Sequence, residues 1–296
     1  MVVVIARSLS EALSAACFKD FIKDSSIVYL KPNLCTMAGP PATTPVDLVS
    51  EIVKFLLNNE ITPKIVESDQ ATTTADVRAK FLGYLDLDIE FINLSRQESE
   101  SIELSDGKKI NLPKFLLSED IRLINLPLIK ATDVGFFTCC IKNLFGLLQT
   151  PYKGKLHKLL PEVLKTLYTI FNSKTFSIVY GGVAMEGKGS PVKGKPVKFE
   201  DFYIEGDDMM EMDVLIAKKV CGFDVNEIPY LEERSVEVVN ENVLEEISLK
   251  YPKFGKMRPC ELSFFKRGYY FIWEHMDSPL LVPLRKMLTR KYKKKL

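Results

Sequence analysis

The sequence predicts an α/β protein: a mainly parallel or mixed sheet covered by helices on both faces, followed by a C-terminal extension. Three observations carry this. Short apolar runs rich in Val and Ile recur up to about residue 235, segments with a helical apolar period lie between them, and the links are short. Strand and helix in alternation is the pattern of a parallel sheet with crossover helices.

Each element has its own signal. Val2 to Ala6 reads as a buried strand, and Ser8 with Glu11 three residues on reads as a capping box that opens a helix. Ile27 to Lys31 is a second strand. Thr44 predicts an N-cap with Pro45 at the first helical position, and Val49, Ile52, Val53, Leu56 and Leu57 form that helix's apolar stripe. Lys64 to Glu67 is a third strand, Thr73 and Asp76 start another helix, and Ile89 to Leu94 is a fourth strand. Asp106-Gly107 between two short runs predicts a hairpin over 102–112. Ile121 to Leu126 is a buried strand, Phe136 to Leu148 an apolar helix, Leu160 to Phe171 another, and Phe176 to Tyr180 a strand. A glycine-rich stretch spans Gly181 to Gly194, and a last helix runs from about Met209 to Val220, closing at Cys221-Gly222. The core domain is therefore expected over 1–235 and the extension over 236–296.

Composition narrows the function classes. The 296 residues are 46% hydrophobic, and a chain of this length removes roughly 75% of its extended surface from water on folding. A formal net charge of +1 provides no global field toward nucleic acid or membrane, so any such contact needs a local patch. Met1 to Ala6 is too short an apolar run for a secretory signal, and no stretch approaches the roughly 20 residues of a membrane span. The expected setting is the cytoplasm, with the six cysteines as free thiols. Plentiful Lys and Glu with scarce Gln suit a thermophile.

In α/β sheets, ligands bind beyond the carboxyl ends of the strands. Polar residues recur at those positions: Lys31-Pro32-Asn33, Glu67-Ser68-Asp69, Asn125 leading to Lys130, Lys142-Asn143, and Glu186 after Gly181-Gly182. Lys31, Asn33, Lys130 and Asn143 are accordingly candidate substrate-binding residues, because lysines and amides recognise carboxylates and phosphates. Asp69, Lys142, His157 and Glu186 are candidate catalytic residues, able to move protons. Asp207 and Asp213, in an acidic run from Glu200 to Asp213, are candidate ligands for a divalent cation that prefers oxygen. Structural roles compete at each position: the asparagines can close turns, Asp69 can cap, Lys142 can snorkel from a buried helix face, and the acidic run can be a solvated surface. The glycine stretch has the composition of a phosphate cradle but no Walker pattern, and its glycines can equally serve turns that need φ > 0. Cys139 and Cys140, adjacent on a predicted helix, should point apart.

Taken in order, the segments VYLKPNLC (28–35), TTP (43–45), ESD (67–69), NLPLIK (125–130), IKNLFGL (141–147), His157, VAMEGKGSP (183–191), Gly206-Asp207 to Asp213 and Gly222-Phe223-Asp224 resemble the prokaryotic family of domain of unknown function 362. Some members of that family carry an iron–sulfur label. Cluster ligation needs a close run of cysteines, which this sequence lacks, so no iron–sulfur cluster is expected. Two further departures stand out. The family often has Lys-Thr-His where this chain has Lys130-Ala131-Thr132, and an aspartate is common where Tyr180 stands.

Two functional expectations follow. The first is an enzyme acting on a small anionic molecule in a strand-end cleft. The second is a non-enzymatic protein that contacts an anionic surface or nucleic acid through its tail, where Arg285 to Lys295 carries seven positive charges and no acidic residue.

Overall fold

A computed structural model describes residues 2–132, 136–187 and 194–244. Strand β1 (Val3–Ala6) leads into α1 (Leu9–Ser14) through Ser8, whose hydroxyl accepts the Glu11 amide at 3.2 Å. The Glu11 carboxylate returns to the Arg7 amide at 2.8 Å, one residue before the position a capping box uses. Then come α2 (Ala16–Ile22), β2 (Ile27–Pro32), α3 (Val46–Asn58), β3 (Thr62–Glu67), α4 (Ala75–Phe81) and β4 (Glu90–Asn93). β2, β3 and β4 are parallel neighbours, as the alternation predicts. Thr44 is not the cap of α3. Its hydroxyl accepts the Asn33 amide at 2.8 Å and donates to the Leu126 carbonyl at 2.7 Å, so it ties the loop after β2 to another strand end instead.

The hairpin forms as β5 (Ser99–Glu103) and β6 (Lys109–Pro113), with Gly107 at φ +77°, but as a two-stranded sheet of its own. β7 (Leu123–Leu126) and β8 (Leu128–Thr132) follow, separated by Pro127. The helix expected over 136–148 starts late. Residues 136–138 are strand β9 (Phe136–Thr138), antiparallel to β8 with Lys130 opposite Thr138. Two aromatics and a β-branched residue fit a strand once a partner edge is present. Helix α5 (Cys140–Asn143) then runs into a 3-10 turn, Leu144–Leu147. Next are α6 (Leu160–Phe171), β10 (Thr175–Gly187), β11 (Gly194–Lys198), β12 (Tyr203–Gly206), α7 (Met209–Leu215) and β13 (Val238–Val239).

The main sheet runs β13-β1-β12-β10-β7-β2-β3-β4, with β8 and β11 also paired to β10, and β9 to β8. It is mixed. β7 pairs parallel with β2 and β10, β8 parallel with β10, and β13 parallel with β1, whereas β1, β10 and β12 meet antiparallel. The sheet therefore takes in residues 238–239, past the expected boundary at 235. The basic segment Arg285 to Lys295 lies outside the described residues. Helices cover both faces. Phe18, Ile22, Val49, Ile52 and Leu56 pack on one, while Leu144, Val163, Leu167, Phe171 and Met212 pack on the other. Among the described residues no helix is long and apolar enough to cross a membrane.

The described part of the glycine stretch, up to Gly187 and at Gly194, is strand. Gly181 and Gly182 lie inside β10, where a Cβ on Gly181 would come within 2.1 Å of the Phe202 ring and one on Gly182 within 2.2 Å of an Asp201 carboxylate oxygen. They are needed because an aromatic ring and a carboxylate cross the strand there. Among the described residues of the stretch, positive φ occurs at the strand's end, at Gly187 (φ +82°).

Candidate functional site

A cavity of about 210 Å³ opens where the sheet's parallel strands end. Lys31 closes β2, Glu67 closes β3 and Lys130 lies on β8; Lys142, Asn143 and Gly146 come from α5 and its continuation, and Lys153 from the turn before α6. Of the expected residues, Lys31, Asn33, Lys130, Lys142 and Asn143 line it.

The centre is an ion pair. Lys31 Nζ donates to Glu67 Oε2 at 2.7 Å and to the Pro32 carbonyl at 2.7 Å, and neither side chain is more than 5% exposed. The Ser68 amide also donates to Glu67, at 2.9 Å. Burial alone would raise the Glu67 pKa, but Lys31, Arg78 and Lys153 together outweigh it and hold the carboxyl below its ordinary value. Arg78 lies under this pair, fully buried, and donates only to the carbonyls of Leu34, Thr73 and Ser68. Its charge is thus balanced through space. Gly146 is what lets the helix side approach: a Cβ there would stand 2.6 Å from Lys31 Nζ and 2.8 Å from Glu67 Oε1.

Lys130 is 4% exposed and donates to the Ala42 carbonyl at 2.6 Å and Asn33 Oδ1 at 3.2 Å, with Cys35 Sγ at 3.6 Å. None of the three acceptors is a carboxylate. Asn33 Oδ1 also accepts the Cys35 amide at 3.3 Å, so its amide both turns the loop and holds Lys130. Asn143 spends both of its donor hydrogens on the scaffold, at the Lys31 carbonyl (3.0 Å) and Asn125 Oδ1 (2.8 Å). It fixes α5 against β2 and β7.

Three other candidates lie away from the cavity lining. Asp69 Oδ1 accepts the Ala75 amide and Asn93 Nδ2, each at 2.8 Å, which anchors the start of α4. His157 stacks on Phe145, a lining residue, with ring centroids 6.0 Å apart. Glu186 faces Lys195 across the β10–β11 hairpin.

The acidic run is dispersed. Asp207 is exposed. Asp208 caps α7 by accepting the Met210 and Glu211 amides, and Asp201 accepts the Tyr180 hydroxyl at 2.7 Å. Asp213 is fully buried and its two oxygens accept the Cys140 and Ile141 amides at 2.7 and 3.0 Å. Asp207 and Asp213 thus serve different places. Cys139 precedes α5 with φ −155°, so its sulfur does not diverge from that of Cys140 but lies 3.9 Å from it. Among the described residues, the donor atoms of Cys139, Cys140 and Asp213 lie within 4.8 Å of one another and could hold a metal. Burial pushes the Cys139 thiol to about 11 and the Asp213 carboxyl to about 7, so binding a metal here would release protons.

Glu67, Gly146 and Lys153 are site residues that the sequence reading left unassigned. Glu67 had a legible signal, a charge closing an otherwise apolar strand. Lys153 had none, because its place depends on how the turn at 153–159 docks.

The fold and the cavity define an α/β protein with a lysine-rich site at its strand ends. The family model for a domain of unknown function, DUF362, matches residues 28–218, and the chain belongs to that family. No curated protein matches the sequence. A crystal structure of a Thermotoga maritima protein is similar at 12% identity and a TM-score of 0.39, covering 62% of this chain and 52% of that one. This chain therefore spans about half the length of that structure.

Proposed function

We propose that the strand-end cavity binds a small carboxylate or phosphate and that the protein is an enzyme acting on it. The observation that carries the reading is charge: among the described lining residues, Lys31, Lys130 and Lys153 gather around the carboxylate of Glu67. A buried lysine with no carboxylate among its acceptors favours an anion that completes the balance. Lys130 is the sharpest case, since no carboxylate is among its acceptors.

Lys130→Met tests the reading. The wild-type protein should gain thermal stability with millimolar phosphate or small carboxylates. Calorimetric titration of the variant should show affinity lower by about ten-fold or more, the scale of removing one positive charge close to a bound anion. Equal affinity in both proteins, or no binding by either, would remove the cavity as an anion site.

A further inference from the structure

We propose that Lys153 is the amine nucleophile of this cavity and forms an imine with a small carboxylate bearing an aldehyde or ketone carbonyl. The proposal rests on the anion-binding reading above and adds the substrate's second functional group.

The lysines of the cavity differ in what holds them. Lys31 is ion-paired with Glu67. Lys130 has three acceptors, matching the three protons of an ammonium. Lys153 has two neutral partners: Nζ donates to Ser68 Oγ at 2.8 Å and to the Asp69 carbonyl at 2.7 Å. Two hydrogen bonds use both N–H groups of a neutral amine and leave its lone pair for the cavity it lines. Ser68 Oγ donates onward to the Gly146 carbonyl, so its lone pairs are the ones turned toward Lys153.

The charges around Lys153 support a neutral amine. Burial, Arg78 and Lys31 disfavour the ammonium, Glu67 and Asp69 favour it, and the balance brings the amine to about 7. A lysine set beside other cations is a recognised way to make an amine nucleophilic at neutral pH. The remaining lysines provide the charge that would hold a carboxylate while the carbonyl carbon meets Lys153.

The chemistry balances. The Lys153 lone pair forms the N–C bond and the carbonyl π electrons move to oxygen. The C–O bond then breaks, both amine protons leave with that oxygen as water, and the C=N bond forms; the imine takes one proton from solvent. No oxidant or reductant is needed.

The test is reductive trapping. The full-length protein is incubated at pH 7 with pyruvate or glyoxylate and cyanoborohydride, and adducts are mapped by peptide mass spectrometry. Lys153 should be labelled at least about ten-fold faster than Lys54, whose side chain is 64% exposed, because far more of an amine near 7 is unprotonated. Lys153→Arg should lose that adduct. Labelling spread over exposed lysines with no preference for Lys153 would overturn the proposal. Stabilisation by pyruvate without a trapped adduct would overturn the imine and leave the anion site standing. Equal labelling of Lys153 by acetone and pyruvate would keep the reactive amine but remove the need for a carboxylate, and with it the proposed substrate class.

Discussion

Glu67→Gln is expected to cost about 3 kcal/mol of folding stability, the scale seen when one partner of a buried ion pair is removed. The side chain keeps its shape, but Lys31, 1% exposed, and the fully buried Arg78 lose the negative charge that balances them. Urea unfolding near pH 7 measures it, and a change below about 1 kcal/mol would mean that the pair is not the electrostatic centre of the strand ends. The pH dependence has a definite sign. Glu67 lies below its ordinary value of 4.5 in the folded state, so its contribution is complete above that pH and is lost as pH falls through the folded value. The gap between wild type and variant should therefore shrink in acid. Removing this charge makes the cavity more positive, so phosphate affinity in the variant should not fall, unlike that of Lys130→Met.

Glu205→Gln should act in the opposite direction. Glu205 lies on β12 between β1 and β10, fully buried, and neither carboxyl oxygen has a hydrogen-bond partner. Burial, with the Glu11 carboxylate adding to it, pushes Glu205 up from 4.5 to about 8. Between those values the folded state holds a proton that the unfolded chain releases, so stability falls as pH rises through this window and levels off above it. The amide has the same shape and does not ionise. The variant should match wild type near pH 4 and exceed it by roughly 4 to 5 kcal/mol at pH 8 and above, about 1.4 kcal/mol for each unit between 4.5 and about 8. Parallel stability curves across this range would show that Glu205 is ionised in the folded protein.

The sequence by itself determined the elements whose signals are local. Strands at β2, β3, β4 and β7, the hairpin at Asp106-Gly107 and the span of α6 follow from apolar period, turn chemistry and helix-start residues, which act within a few positions. The same logic located most of the cavity, since charged or amide residues that close buried strands of a parallel sheet meet at one end. Lys31, Asn33, Lys130, Lys142 and Asn143 were found that way. What the tertiary structure alone decided depends on partners distant in the chain. Residues 136–138 became strand because β8 presented an edge to pair with. Gly181 and Gly182 proved to be crossing points for Phe202 and Asp201, not turns. Asp69 and Asp213 became anchors of the α4 and α5 starts, because unsatisfied helix-end amides lay within reach. Lys153 entered the cavity only through docking of its turn against Ser68 and Asp69, 85 and 84 residues away in sequence. A lysine's type is legible in a sequence, but the low-dielectric surroundings and neighbouring charges that set its reactivity exist only once the chain has folded.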